Sequence, residues 1–205
     1  MNKGLIIIGA AAIVIAIYFL LYNKKSDSET LSVEQQTLSK GKNSDAFNQP
    51  FNGALNKYFT VEDALVNWDT IAANKAATEL SATLSNVPYD ELKINSDSIN
   101  KAKNLSESAA AEAKGLIAEN TIESKRRSFY TLSEAMYNLL KTVHYDQQVI
   151  YHQKCPMAFN ENEEGWWISN SSNIVNPYLG NKHPKYHGAM ISCGNVGDSI
   201  DFRND

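Results

Sequence analysis

The 205-residue chain has little charge imbalance, few cysteines and no familiar catalytic motif. Its net charge is only −4, and its basic residues are scattered, so no strong positive field marks it as a nucleic-acid binder. The one dense basic run, Lys125-Arg126-Arg127, reads as a solvated helix face. There is no nucleophile elbow, HExxH zinc motif, phosphate loop or Cys-x-x-Cys-His haem signature. A Cys155–His152 nucleophilic pair lacks a visible orienting group, and Glu161, Glu163 and Glu164 sit in a polar turn. The chain is therefore expected not to be an enzyme and to have no small-molecule substrate. The cysteines are two, Cys155 and Cys193. Neither lies near the N-terminal apolar run, which excludes lipid attachment at a lipobox. No internal repeat is apparent.

What is present divides into four parts. The run Leu5 to Tyr22 is apolar over 18 residues, interrupted only by Gly9. At about 1.5 Å per residue it spans roughly 27 Å, close to the thickness of a bilayer core. It ends on Tyr18-Phe19-Leu20-Leu21-Tyr22, bulky and aromatic where a signal-peptidase site would be small. Tyr18 and Tyr22 suit the interfacial belt. Residues 1–22 are expected to form an uncleaved transmembrane signal anchor. Lys3 and the terminal amine nearly balance Lys24 and Lys25, so flanking charge does not orient it. Residues 23–50 are polar and read as a flexible tether.

From Phe51 the pattern is helical. Phe51, Leu55, Tyr58, Phe59, Leu65 and Trp68 recur at roughly helical spacing. Asp69 or Thr70 would cap a second helix carrying Ile71, Ala76, Leu80, Leu84 and Val87, stopped by Pro88. Ser96 or Asp97 would cap a third with Ile99, Ala102, Leu105, Ala109, Ala113, Leu116 and Ile117. A fourth carries Ile122, Phe129, Leu132, Met136, Leu139, Leu140 and Val143. Beyond His144, Val149-Ile150-Tyr151 and Gly165-Trp166-Trp167-Ile168-Ser169 read as short strands, and Asn176-Pro177-Tyr178 as a turn. The expected fold is mainly α: a four-helix up-down bundle over 51–145, then a small strand-and-loop cap over 146–205.

The cap gathers the chemistry. In Cys155-Pro156-Met157, extended geometry would aim both sulfurs to one face. In Met190-Ile191-Ser192-Cys193 a turn would bring Met190 and Cys193 together, with Gly194 permitting tight backbone. Two thiolates and two thioethers would favour copper(I). His152 precedes Cys155 by three, and His183 and His187 lie four apart. A Cys155, Cys193, His183, His187 set would instead suit zinc. The plain alternatives are a structural disulfide for the cysteines, core packing for the methionines, a hydrogen-bonded strand residue for His152 and solvent loops for His183 and His187. The metal reading rests on four soft donors within 39 residues.

The ordered string Tyr151-His152-x-x-Cys155-Pro156-Met157-Ala158-Phe159, Trp167-Ile168-Ser169, Asn176-Pro177-Tyr178-Leu179-Gly180 and Met190-x-x-Cys193-Gly194-x-Val196 resembles the bacterial domain-of-unknown-function family 3347. That domain occurs alone and at the C-terminal end of periplasmic adaptor subunits of heavy-metal efflux pumps. The resemblance, over about 51–200, implies a helical bundle before the motif block and a role in copper or related metal handling. It also implies a body in the periplasm, held by a single-pass anchor in the inner membrane, with a heavy-metal efflux or other envelope complex as partner. The positions it marks are Cys155, Met157, Met190 and Cys193, and His152 more loosely. Nine residues separate Gly180 from Met190 here, including His183 and His187, where many members have almost none. Two functions are expected to compete: copper(I) handling or delivery, and a structural subunit of a larger membrane complex with a Cys155–Cys193 disulfide.

Overall fold

The computed structural model describes residues 43–203. The expected anchor at 1–22 and the tether as far as 42 lie outside the described residues. Among the described residues no helix is long and apolar enough to cross a membrane. Four helices are followed by a three-stranded antiparallel sheet.

Helix α1 (Asp45–Val66) opens at Ser44, whose hydroxyl accepts the Phe47 N–H at 3.3 Å. Residues 45–50 therefore belong to this helix and not to the flexible stretch expected there. The reason is Phe47, which is fully buried and stacks on Phe51 with ring centroids 5.1 Å apart. One aromatic in a polar segment carries no periodicity of its own. Helix α2 (Thr70–Leu84) is capped by Asp69, whose carboxylate accepts the Ala72 N–H at 2.9 Å. Ile71 is not a core residue: it stands 82% exposed on the first turn, while Ala73, Ala76, Ala77, Leu80 and Leu84 form the buried stripe. A 3-10 turn, Tyr89–Glu91, follows Pro88. Helix α3 (Ser96–Ala118) is capped by Asn95, one residue before the expected Ser96 or Asp97. Helix α4 (Ile122–Thr142) is capped by Thr121.

Each helix packs on its neighbour in sequence. Helix α1 also reaches α4 through Tyr58, whose ring stacks on Phe129 at 5.2 Å. Its hydroxyl lies 2.6 Å from Ser133 Oγ and accepts the Ile168 N–H at 3.2 Å. Ser133 in turn donates to the Phe129 carbonyl, so Tyr58 is left to donate to Ser133. One buried phenol thus joins two helices to the sheet.

The basic run is not a solvated face. Lys125 and Arg126 are only 2% and 3% exposed. Lys125 Nζ donates to the carbonyls of Leu116 and Glu119 at 2.9 and 2.7 Å, satisfying acceptors that the end of α3 leaves open. Arg126 donates through Nε to the Pro177 carbonyl at 2.8 Å and through Nη2 to the Leu65 carbonyl at 3.0 Å, with its guanidinium over the Trp68 ring. Arg127, which pairs with Glu163, is the exposed member of the three.

Strand β1 (Ile150–Phe159) is the central strand, between β2 (Glu163–Ser169) and β3 (Asn195–Ile200). β1 runs well past the expected Tyr151. β3 is a strand that Asn195-Val-Gly-Asp-Ser-Ile200 did not announce, because only Ile200 of it is buried. It lies flat against β1 through Gly197, where a Cβ would sit 2.5 Å from the Trp166 ring. The long connection from β2 to β3 docks on the helices at Gly180 (φ +61), where a Cβ would fall 2.5 Å from the Val66 carbonyl. Trp68 Nε1 donates to the Leu179 carbonyl there at 3.0 Å.

Glu62 of α1 is buried beside Trp167, and burial pushes its carboxyl well above the usual 4.5, with Asp63 adding to the effect. Because the folded chain holds this proton more tightly than the unfolded chain, stability falls as pH rises from about 4.5 through the raised value. Glu62→Gln removes the effect. Thermal unfolding should give matching midpoints for the two proteins near pH 4 and a midpoint several degrees higher for the variant at neutral pH.

Candidate metal centre

Cys155 lies on β1 opposite Gly165 of β2, and its side chain is fully buried. Gly165 is required there: a Cβ would lie 2.7 Å from Ala158 Cβ and 2.9 Å from the Tyr178 ring. Cys193 comes from the far end of the β2–β3 connection and is partly exposed. A turn closed by the Cys193 N–H on the Met190 carbonyl, at 3.0 Å, delivers it. Gly194 (φ +141) then lets the chain come alongside β1, since a Cβ at that position would be 2.4 Å from the Lys154 carbonyl. The outcome is a thiol pair: Cys155 Sγ and Cys193 Sγ are 3.7 Å apart and not bonded to each other.

Asn176 seats this arrangement. It is fully buried. Its Nδ2 donates to the Cys193 carbonyl at 2.8 Å, and its backbone N–H donates to the Ile191 carbonyl at 2.8 Å. Its Oδ1 accepts the N–H groups of Tyr178 and Leu179 at 2.8 and 3.0 Å. One amide therefore ties the Cys193 turn to the Pro177–Gly180 corner that Arg126 holds. Burial, followed by the neighbouring Cys155, pushes the Cys193 thiol up to about 11, so the metal-free pair is protonated at neutral pH at Cys193.

The methionines are near the pair in sequence and half-buried against the core. Met190 starts the turn that ends in Cys193. Met157 falls in the irregular stretch between Cys155 and Phe159 where the β1–β2 register shifts, so simple alternation does not govern its direction.

The histidines go elsewhere. His152 is three residues from Cys155, in a part of β1 that pairs without a break with β2 although its register against β3 shifts after His152, so along β1 it occupies the opposite face. There its ring stacks between Tyr137 and Trp166, at 3.9 and 4.5 Å, and Nε2 lies 3.0 Å from Glu134 Oε1. His183 and His187 pair with each other through their backbones. His183 Nδ1 accepts the N–H groups of Lys185 and Tyr186 at 3.2 and 3.3 Å. Burial and then Arg126 hold the His183 ring below its usual value. Among the described residues no three or more His, Cys, Asp or Glu side chains gather where they could hold a metal ion. The tetrahedral set of two cysteines with His183 and His187 is thus not assembled.

Residues 54–148 match the model of a family described as Protein of unknown function (DUF3347). The chain carries a DUF3347 domain. No curated protein and no solved structure matches it. The DUF3347 match begins within α1 and stops just short of β1, so the later part of α1 and the other three helices lie within it and the thiol pair lies beyond it.

Sequence reasoning over the region after the DUF3347 match found the sulfurs and missed their support. Asn176 read only as a turn residue. Its signal is the Asn-Pro pair: an Asn side chain before proline caps the turn that follows, here by accepting from Tyr178 and Leu179. Gln153, fully buried on the Cys155 face, carries no such signal, and its Nε2 holds the connection by donating to the Ser171 carbonyl at 2.7 Å.

Asn176→Ala leaves the Cys193 carbonyl and two N–H groups without partners, which costs roughly 3 kcal/mol. It should lower the thermal midpoint and speed Cys193 alkylation by iodoacetamide. In the unaltered chain that alkylation should be slow at neutral pH and rise about tenfold per pH unit up to about 11, because only the thiolate reacts.

Proposed function

We propose that this chain binds copper(I) at a soft-donor site centred on Cys155 and Cys193, and hands the ion to a heavy-metal efflux or other envelope complex. The observation that carries this reading is the pair of unbonded thiols, 3.7 Å apart, contributed by segments 38 residues distant. Thiolates sharing one tetrahedral ion with bonds of about 2.3 Å lie about 3.8 Å apart, so the pair already has the spacing of bound ligands. Zinc takes four N, O or S ligands, and no histidine or carboxylate joins the pair among the described residues. Thiolate with thioether selects copper(I), and Met190 and Met157 are the nearest thioethers in sequence. In this reading residues 1–22 anchor the chain in the inner membrane, 23–42 tether it, and the helices stand as an up-down bundle carrying the site in the periplasm. The competing role, a structural subunit of a membrane complex, would use the same two sulfurs as a disulfide.

Anaerobic titration of the reduced chain with copper(I), against a competing chelator, tests the proposal. One ion per chain is expected, with affinity falling at least a hundredfold in the Cys155→Ser, Cys193→Ser double variant and about tenfold in Met190→Leu. Binding displaces a thiol proton that Cys193 holds up to about 11. Apparent affinity should therefore rise by about a hundredfold or more from about pH 6 to about pH 8. Equal affinity in the double variant ends this reading. A mass two hydrogens short in protein taken from cells without metal, and not restored by excess reduced glutathione in the folded chain, points to the staple instead.

A further inference from the structure

We propose that Cys155 and Cys193 form a dithiol that exchanges with an external disulfide, Cys193 attacking first and Cys155 resolving. This goes beyond copper binding and needs no metal, although it uses the same two sulfurs.

Three observations carry it. The sulfurs are unbonded and 3.7 Å apart, so a bond between them needs an approach of about 1.6 Å, within reach of side-chain rotation. Their exposure is unequal: Cys155 is fully buried, whereas Cys193 is partly exposed on a connection whose neighbouring residues face solvent. Only Cys193 can meet a second molecule. Finally, the backbone around Cys193 is held on both sides. Asn176 grips its carbonyl at 2.8 Å, and Gly194 lies against the Lys154 carbonyl next to Cys155. A mixed disulfide at Cys193 thus stays beside the resolving thiol, at high effective concentration.

The chemistry balances with an accessible disulfide, of protein or small-molecule origin, as oxidant. The Cys193 thiolate attacks one sulfur of that disulfide, whose S–S bond breaks, and half leaves as a thiolate. The Cys155 thiolate then attacks Cys193 Sγ, forming the internal disulfide and expelling the second half. Two electrons pass from the chain to the external disulfide. The two cysteine protons end on the two released thiols. The oxidised chain has no thiolate to offer a metal, so loading would be confined to its reduced form.

Oxidised glutathione serves as the probe. The full chain, reduced, metal-free and in detergent, is exposed to it, quenched with acid and mapped by mass spectrometry. The unaltered chain should end two hydrogens lighter without retained glutathione, and the adduct trapped at early times should sit on Cys193. Cys155→Ser, and Cys155→Ala as a second variant, should each accumulate one glutathione at Cys193. Cys193→Ser should remain unmodified at least tenfold longer. An early adduct on Cys155, or equal modification of the Cys193→Ser chain, overturns the order of attack. Glutathione retained on the unaltered chain overturns the exchange. Because copper is absent throughout, failure here leaves the copper titration standing, and failure of that titration leaves this result standing.

Discussion

Arg126 is the contact on which the rest of the molecule depends. It enters the interior from the second turn of α4, lies over Trp68, and joins the carbonyl of Leu65 in α1 to that of Pro177 in the long connection. A buried cation is costly unless its donors are matched, and carbonyl partners from two separate segments meet that need. The consequence is positional. The corner at Pro177 is set on the end of α1, Trp68 and Gly180 complete the seam, and Asn176 extends it to the Cys193 turn. A guanidinium that touches neither sulfur thus holds the corner from which Asn176 reaches the Cys193 turn.

The sheet divides two kinds of chemistry by the parity of one strand. On one face of β1, Gln153 and Cys155 look toward the connection and its thiol. On the other, His152 is packed among Tyr137, Trp166 and Glu134, while Tyr137 also hydrogen-bonds Asp198 of β3. This second cluster fastens the sheet to α4. Period-two geometry prevents residues three apart on a regular strand from serving one ion, whatever their separate affinities for metal.

The helices were legible because their apolar stripes are long enough for periodicity to average over exceptions such as Ile71. Their ends were less so: Asn95 outcompeted Ser96 as a cap by one position, and Phe47 extended α1 through a polar stretch. Lys125 and Arg126 defeated the charge pattern because their partners are carbonyls, which composition does not display. β3 escaped notice because an edge strand with one buried side chain has no alternation to read. The cysteines and their neighbouring methionines stood out by crowding into one region. What sequence did not reveal was the parity that removes His152, the tight turn in which the His183 ring accepts from Lys185 and Tyr186, and the role of Asn176.

Lys125 has a further meaning for the order of folding. It closes the end of α3 from within the second turn of α4, across a connection of only a few residues, so that this pair of helices needs little chain closure to form. The sulfurs meet across 38 residues, a far longer closure, with the Asn176 side chain on the Cys193 carbonyl. A contact between segments that far apart costs more chain closure than the α3–α4 pair, so in the unfolded chain each cysteine is exposed to other molecules without its mate beside it. The cellular compartment in which folding finishes therefore bears on which partner each sulfur first encounters.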